Sequence, residues 1–408
     1  MQRDFFGSFF LKKRTLKIPW ITKADSYQII LHKPNYNTIH SNLDHNSTYI
    51  FVFLRIMNKI NADVLIVGQG IVGTVLAHTL IKHEKSVIII DDPKLSSSSR
   101  VSAGLFNPVV FKRLTQSWKV DELIDLLVPF YKESEKLFGE KLLFDQKILK
   151  IFSEEQERTL WEKKMKEEVG KYLLPVSDEP IKEFADMPFG HASVLGAGYL
   201  NVQKFLSLSR KYFLENKMMR DEIFEPKKMK ITEGGISYDD GIIAKKIIYC
   251  EGYKGMSNPY FNWIPFKRAK GELLTVKIKN YHFVQVINKA VFVAPLGNDL
   301  YRVGSTFVWD TINDDPTEEG KAKLTESLRK VVGDNFEIID HKAGVRPSIS
   351  DRRPVLGMHP EHEQLVIFNG MGSKGVMLSP YFAEHLVQHL YEGKELNREV
   401  DIRRFEIK

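Results

Sequence analysis

The sequence of 408 residues predicts an α/β fold of composite α+β character, in which a parallel-sheet domain is interleaved with a mainly antiparallel domain. Residues 64–67 form a β-branched run that ends at a glycine-rich turn, and apolar residues at helical spacing follow. Residues 218–308 are strand-like, with turn signals at 234–235, 239–241 and 297–299. A strand over residues 365–368 begins the same pattern again, because a glycine-rich turn and a helix follow it. The end of the chain is therefore predicted to fold back onto its beginning.

The composition is typical of a globular protein. Apolar residues make up 43% and charged residues 27% of the chain, and the sequence has one cysteine. A single cysteine excludes an intramolecular disulfide and a CxxC metal or redox site. The apolar runs are shorter than the roughly 18 residues that a membrane-spanning helix needs. The sequence therefore predicts a protein that has no membrane partner and is located in the cytoplasm.

The basic charge is concentrated at the N-terminus. Residues 1–56 contain eight Lys or Arg and three Asp, which gives +5 of the total net charge of +7. The rest of the chain is nearly neutral, which argues against a nucleic-acid partner. Residues 1–56 show no helical or strand periodicity and no signal-peptide pattern. We expect either a mis-assigned start, with Met57 as the first residue, or an unstructured basic arm.

Four helices are predicted after the first strand–helix–strand unit. An amphipathic pattern covers residues 120–138. Ser153 and Gln156 have the spacing of a capping box, which would start a second helix. A third helix is predicted over residues 201–215 and a closing helix over about 380–392.

The glycine-rich turn has the GxGxxG pattern of a Rossmann-type dinucleotide site. Gly68 allows the tight turn off the strand, Gly70 lets a pyrophosphate approach the backbone, and Gly73 lets helix and strand pack closely. The N–H groups at the helix N-terminus would bind the phosphates. Asp91, at the end of the next strand, is placed to bind ribose hydroxyls, with Asp92 as a competitor. The alternative is a turn without a ligand, and the pattern alone does not distinguish FAD from NAD.

A series of short segments follows the same order as the motifs of one enzyme family. The segments are residues 68–73, 99–104, 249–252, 270–273, 293–295, 303–306, 344–347, 351–357 and 369–372. Together they resemble the D-amino-acid oxidase and glycine oxidase family of FAD-dependent oxidoreductases. The resemblance extends from Ala62 to the end of the chain, and residues 1–56 have no counterpart in it.

The resemblance implies a fold, a cofactor and a reaction. The fold is a Rossmann-type FAD-binding domain of residues 57–150 and 340–408, interleaved with a mainly antiparallel substrate domain of residues 151–339 that carries some FAD-domain strands. Family members pass a hydride from the carbon beside an amine to flavin N5, and water hydrolyses the resulting imine. Some relatives tether the flavin to a cysteine or a histidine, but neither occurs at those positions here, so noncovalent FAD is implied. The electron acceptor, O₂ or another compound, stays open.

Two basic residues are assigned catalytic roles by the resemblance. Arg346 matches the arginine that holds the substrate carboxylate, and its planar fork suits a two-pronged contact. The alternative is an ordinary salt bridge at the end of a strand. Lys374 would add positive charge where the start of the last helix faces the flavin pyrimidine ring. The alternative is an exposed lysine that points away.

The residues that the resemblance places at the cofactor lie in six segments of the chain. They are Gly68, Gly70, Ile71, Val72, Gly73, Asp91, Asp92, Arg100, Ser102, Ala103, Gly104, Gly252, Arg346, Gly370, Gly372, Ser373, Lys374, Gly375 and Val376. No metal site is predicted, because the histidine pair His385 and His389 lacks the glutamate of an HExxH motif.

The resemblance implies oxidation of the C–N bond of a small amino acid or secondary amine. One alternative is oxidative trimming of carboxymethylaminomethyl-uridine in tRNA, because residues 372–376 and 383–384 resemble the closing sequence of the FAD domain that performs it. Another is a flavin-binding protein without turnover. Residues 103–108 differ from the family's usual sequence beside the flavin, so the identity of the substrate stays open.

Overall fold

The computed structural model describes residues 59–181, 184, 187–279, 281, 283–309 and 313–406. Residues 1–56 and the predicted start at Met57 lie outside the described residues. The first ten strands are β1 Ile60–Val67, β2 Val87–Ile90, β3 Leu105–Phe106, β4 Val109–Val110, β5 Thr115–Gln116, β6 Leu143–Asp145, β7 Ile148–Ile151, β8 His191–Val194, β9 Gly198–Leu200 and β10 Met219–Arg220. The next are β11 Met229–Thr232, β12 Gly235–Tyr238, β13 Ile242–Tyr249, β14 Phe266–Ile278, β15 Val286–Asn288, β16 Phe292–Gly297, β17 Leu300–Gly304, β18 Phe336–Ile349, β19 Val355–Met358 and β20 Leu365–Asn369. The α-helices are α1 Ile71–Lys82, α2 Ser98–Val101, α3 Val120–Phe138, α4 Glu155–Lys164, α5 Val202–Glu215, α6 Glu318–Val332 and α7 Gly375–Glu392.

The first sheet contains eight of the described strands, and β1 lies between β2 and β13. Strand β1 runs parallel to both neighbours, and β20 also pairs in parallel with β13. Val64 and Ile66 belong to a core that includes residues of α1 and α7, whereas Leu65 and Val67 belong to a second core on the opposite face. Because both faces of β1 are buried, its sequence is continuously apolar instead of alternating.

The second sheet contains seven of the described strands in the order β18-β14-β17-β16-β15-β7-β8. Its neighbours are antiparallel except for β15 and β7. The long pair of β14 and β18 extends from Phe266 opposite Ile349 to Ile278 opposite Phe336. Helix α6 packs against this sheet, and its Leu324 is part of the sheet's core.

The predicted fold class is confirmed, since a sheet with a parallel centre and a mainly antiparallel sheet are built from alternating parts of the chain. The strand-like stretch 218–308 is divided, because β10–β13 join the first sheet and β14–β17 the second. The predicted domain boundaries at 150/151 and 339/340 each fall inside a strand of the second sheet, β7 and β18. A boundary between the FAD-binding domain and the substrate domain would therefore lie outside these two strands. The division into these two domains stays a prediction. Among the described residues, none of the helices has both the length and the apolar character needed to cross a bilayer.

Two predicted helices are confirmed closely, and the start of a third is wrong. Helix α3 has the predicted bounds, and α5 begins directly after Asn201, whose side chain accepts a hydrogen bond from the N–H of Lys204 at 3.1 Å. The capping box predicted at Ser153 does not form, because α4 begins at the second residue after it. The backbone N–H of Ser153 instead donates to the Glu157 carboxylate at 2.8 Å. The residue before α4, Glu154, supplies no side-chain cap, so the predicted hydroxyl cap has no counterpart in the structure.

The closing helix α7 begins at Gly375, before the predicted start at Pro380, which lies inside it. Pro380 has no N–H, so the carbonyl of Val376 loses its usual donor four residues later. The buried Tyr131 on α3 donates its hydroxyl to that carbonyl at 3.0 Å. A contact from another helix thus replaces the hydrogen bond that the proline removes.

Tyr131→Phe should lower the free energy of unfolding by about 1–3 kcal/mol, because the buried Val376 carbonyl loses its donor. Tyr391→Phe on α7 is the matched control, since the Tyr391 hydroxyl is buried and has no hydrogen-bond partner in the described part of the chain. Denaturant unfolding of both variants measures the difference. Equal stability of the two variants would contradict the role of the Tyr131 hydroxyl.

Candidate functional site

A cavity of about 770 Å³ opens at the carboxyl ends of β1, β2 and β13 and reaches β18 and the start of α7. All but two of the residues predicted at the cofactor line it. They are Gly68, Gly70, Ile71, Val72, Asp91, Asp92, Arg100, Ser102, Ala103, Gly104, Gly252, Arg346, Gly372, Ser373, Lys374, Gly375 and Val376. The exceptions, Gly73 and Gly370, pack behind the wall. The fold therefore brings the predicted residues from both ends of the chain to one cavity.

The glycine-rich turn packs tightly against backbone at two of its three glycines, Gly68 and Gly73. Gly68 has a φ of +101°, and a Cβ there would lie 2.7 Å from the carbonyl oxygen of Cys250. A Cβ on Gly73 would lie 1.9 Å from the Gly68 carbonyl oxygen, so α1 packs directly on the turn. Gly70 precedes α1 without a side-chain cap, and the Ile71 N–H donates to Ser99 Oγ at 3.0 Å. The N-terminal end of α1 thus faces the cavity with positive potential.

The Asp91 carboxylate at the end of β2 is bound by the protein itself. It accepts the Gln69 N–H at 3.0 Å and a hydrogen bond from each of the guanidinium groups of Arg100 and Arg210, both at 2.9 Å. Arg100 also donates to the carbonyls of Pro93 and Leu95, so it organises the loop after β2. The Arg100 guanidinium therefore uses three of its hydrogen bonds within the protein, and fewer N–H groups are left for the predicted contact with the cofactor.

The starts of α1 and α7 lie against each other at the cavity. A Cβ on Gly375 would lie 2.8 Å from Cγ2 of Ile71, and the residue before α7, Lys374, supplies no side-chain cap. Lys374 lines the cavity and its Nζ donates to Ser117 Oγ at 2.8 Å. Burial, with a smaller effect of Arg353, lowers the pKa of Lys374. Lys374 is therefore not the exposed lysine of the alternative interpretation.

Arg346 lines the cavity without a carboxylate partner in the described part of the chain. Its Nη2 donates to Ser305 Oγ at 2.8 Å and to the Thr306 carbonyl at 3.2 Å, and its Nη1 donates to the Lys270 carbonyl at 3.3 Å. The ring of Phe307 covers the guanidinium at 4.1 Å. Burial lowers the pKa of Arg346 to about 10, so the group is a cation at neutral pH. The alternative of a strand-end salt bridge is wrong for the described residues.

A glycine on the neighbouring strand makes room for this guanidinium. Gly271 follows Lys270 on β14, and Lys270 pairs with Val345, which is the residue before Arg346 on β18. A Cβ on Gly271 would lie 2.0 Å from Nη2 of Arg346. The resemblance of residues 270–273 to a family motif thus has a steric reason in this structure.

Sequence reasoning assigned no role at the site to three residues that the structure places there. Arg210 on α5 donates to both Gln69 and Asp91 at 3.0 and 2.9 Å, but it is 119 positions from Asp91 and no local pattern points to it. Ser99 is the last of four consecutive serines, in which no single hydroxyl stands out, and the structure places it in α2. Glu251 lines the cavity beside the glycine-rich turn and accepts a hydrogen bond from Asn258 at 2.8 Å. Burial raises the pKa of Glu251 to about 7.

The cavity suits an anionic dinucleotide better than a metal ion. Two helix N-termini, Arg346 and Lys374 place positive charge around one cavity. No group of three or more His, Cys, Asp or Glu side chains in the described ranges is arranged to hold a metal ion.

Comparison with known proteins identifies the family. The model of the FAD dependent oxidoreductase family, DAO, matches residues 63–389. The chain belongs to this family. It is 22% identical over 374 residues to a glycine oxidase of Bacillus subtilis (strain 168), a match that covers 84% of this chain and 96% of the relative.

Solved structures of similar proteins have the same fold. A glycine oxidase from Geobacillus kaustophilus has a TM-score of 0.71 at 20% identity, covering 85% of this chain and 98% of that structure. An iminodiacetate oxidase from Chelativorans sp. BNC1 has a TM-score of 0.68 at 19% identity, covering 84% and 98%. Because the chain belongs to the DAO family, it is an FAD-dependent oxidoreductase, and FAD is its cofactor.

Gly70→Val should abolish FAD binding, because a Cβ there already lies 3.2 Å from Ser99 Oγ and the two methyl groups would crowd the N-terminus of α1. Gly234→Val is the matched control, since a Cβ on Gly234 has no heavy atom within 4 Å among the described residues. The flavin content of each purified variant is measured by absorbance. A Gly70 variant that keeps its full flavin content would contradict the role of the turn.

Proposed function

We propose that this protein oxidises the C–N bond of a small amine that carries a carboxylate group. FAD, when bound, accepts a hydride from the carbon beside the nitrogen. The substrate loses that hydride and one proton and becomes an imine, which water converts to a carbonyl compound and an amine or ammonia. The two electrons pass on to O₂ or another acceptor.

Several residues of the cavity would hold FAD. The N-terminal end of α1, with the turn from Gly68 to Gly73, suits the pyrophosphate, and Asp91 suits a ribose hydroxyl. The N-terminal end of α7 suits the side of the flavin on which negative charge develops during reduction. Lys374 would add to that positive potential through its partly desolvated ammonium group.

The proposed substrate class rests on one observation, the largely buried guanidinium of Arg346, which has no carboxylate partner among the described residues. A largely buried guanidinium without an anionic partner costs free energy, and a substrate carboxylate would offset that cost. The carbonyls of Lys270 and Thr306 orient the fork without neutralising it. Relatives named glycine oxidase and iminodiacetate oxidase support a substrate of this class.

The proposal is tested by anaerobic mixing of the FAD-loaded protein with a panel of amino acids and N-alkyl glycines. We expect the visible flavin absorbance to bleach with at least one of them. The control is the matching amide, which keeps the amine but lacks the negative charge. Bleaching by modified tRNA alone would favour the trimming reaction, and no bleaching by any compound would favour a flavoprotein without turnover; either result would overturn the proposal.

Arg346→Ala should lower kcat/KM for the carboxylated substrate by roughly tenfold to a hundredfold, because charge-assisted hydrogen bonds are lost. Arg346→Lys should also lower kcat/KM, because an ammonium cannot form the two-pronged contact. Gly271→Ala should act in the same way through the collision of its Cβ with the guanidinium. The FAD content of each variant is measured in parallel, and kcat/KM is compared per bound flavin, so that a loss of substrate recognition is distinguished from a loss of cofactor.

The amide analogue separates recognition from general damage. Wild type should prefer the carboxylate strongly over the amide, and the Arg346→Ala variant should not. An unchanged preference would assign Arg346 a structural role and make Lys374 the next candidate for the anchor.

A further inference from the structure

A second cavity of about 280 Å³ lies outside the site described above. It is bounded by β6, β9, the start of α5, and the hairpin of β16 and β17. Phe144, Tyr199, Phe283 and Leu296 give it an apolar wall, and the rings of Phe144 and Tyr199 are stacked at 4.6 Å. Its volume is near the lower end of small-molecule sites, so it suits a compact ligand.

Arg302 supplies a positive charge to this cavity. The residue is only 6% exposed, its Nη1 donates to the Val101 carbonyl at 2.6 Å, and its Nε has no hydrogen-bond partner among the described residues. Burial lowers the pKa of Arg302, and the nearby Asp340 offsets only part of that effect, since its carboxylate is bound by Lys342 at 2.8 Å and by the N–H of His341 at 2.9 Å. Arg302 makes no ion pair in the part of the chain that the structure describes, so its burial has an electrostatic cost that an anionic ligand would offset.

Gln146 supplies a second unsatisfied polar group to the same cavity. Its side-chain Oε1 is buried and lacks a hydrogen-bond partner within the described ranges. A buried amide without a partner is costly unless a bound molecule or water satisfies it. An acceptor of this kind suits an N–H donor, whereas Arg302 suits a carboxylate.

We propose that this second cavity binds a small amino acid with an apolar side chain, its carboxylate on Arg302 and its amino group on Gln146. The aromatic and aliphatic wall takes the side chain. Charge selects against simple amines, because Arg302 repels a cation. The proposal is independent of the substrate class suggested for the larger cavity.

The two cavities share a wall, which makes occupancy of the second detectable at the first. Ser102 and Ala103 line both of them. The carbonyl of Val101, just before this pair, holds Arg302. A ligand that binds the Arg302 guanidinium would therefore also change the position of the segment that contains Ser102 and Ala103, which lines the larger cavity.

The test is calorimetric titration of the FAD-loaded Arg346→Ala protein, in which the anchor of the larger cavity is removed. L-leucine is the probe; 4-methylpentanoate lacks its amine, and 3-methylbutylamine lacks its carboxylate. We expect saturable binding of one leucine per chain, with at least about tenfold weaker binding of both analogues. A shift of the flavin absorbance bands should accompany leucine binding.

Arg302→Met and Gln146→Leu, each introduced into this protein, should weaken leucine binding by at least about tenfold. Gln116→Leu is the matched control, because Gln116 also has a buried unsatisfied amide but does not line the cavity. FAD content verifies that each variant is folded, and Gln146→Leu keeps the test valid if Arg302→Met does not fold. Absence of saturable leucine binding, equal binding of 4-methylpentanoate, or unchanged binding in Gln146→Leu would each overturn the proposal.

Discussion

The contact between the N-terminal ends of α1 and α7 is the constraint on which the site depends. Gly375 allows this approach, since a Cβ there would lie 2.8 Å from the Ile71 side chain. The residue before each helix supplies no side-chain cap, so both ends direct positive potential into one cavity. The first and last helices can meet only if β20 returns to pair beside β13 at the middle of the first sheet. The interleaved path of the chain is therefore a consequence of building one binding site from both of its ends.

The position of Arg346 is set by a buried network that faces away from the cavity. Lys270 and Glu272 lie on the face of β14 opposite Gly271 and are 1% and 0% exposed. The Glu272 carboxylate accepts hydrogen bonds from the N–H and the hydroxyl of Thr317 at 3.0 and 2.9 Å. The backbone N–H of Glu272 donates to Thr306 Oγ1 at 2.9 Å. The Thr306 carbonyl then accepts from Arg346. One strand thus connects a satisfied carboxylate on one face to a cation without an anionic partner on the other.

The features that sequence predicts well are those encoded by neighbouring residues. The turn from Gly68 to Gly73, helix α3 and the Asn201 cap of α5 each depend on spacing within one or two turns of chain. The features that it missed depend on distant partners. The start of α7 rests on the Tyr131 hydroxyl from α3, the environment of Asp91 rests on Arg210 from α5, and the division of residues 218–308 between two sheets rests on which strand each one meets. The family resemblance supplied the site residues, but not the protein partners that Asp91 and Arg100 already have.

Arg346 and Arg302 are both largely buried arginines that line cavities and make no ion pair with a carboxylate among the described residues. Burial lowers the pKa of both, because desolvation disfavours the charged form of the group. A carboxylate on an adjacent strand would remove that cost, but it would also occupy the fork. Neutral acceptors instead orient each guanidinium and leave it positive, with the Val101 carbonyl on Arg302 and two carbonyls and the Ser305 hydroxyl on Arg346, so that a cationic ligand is repelled and a carboxylate is favoured. The cavity volumes then decide what accompanies the carboxylate: about 770 Å³ leaves room for a dinucleotide beside it, whereas about 280 Å³ leaves room only for the rest of one small molecule.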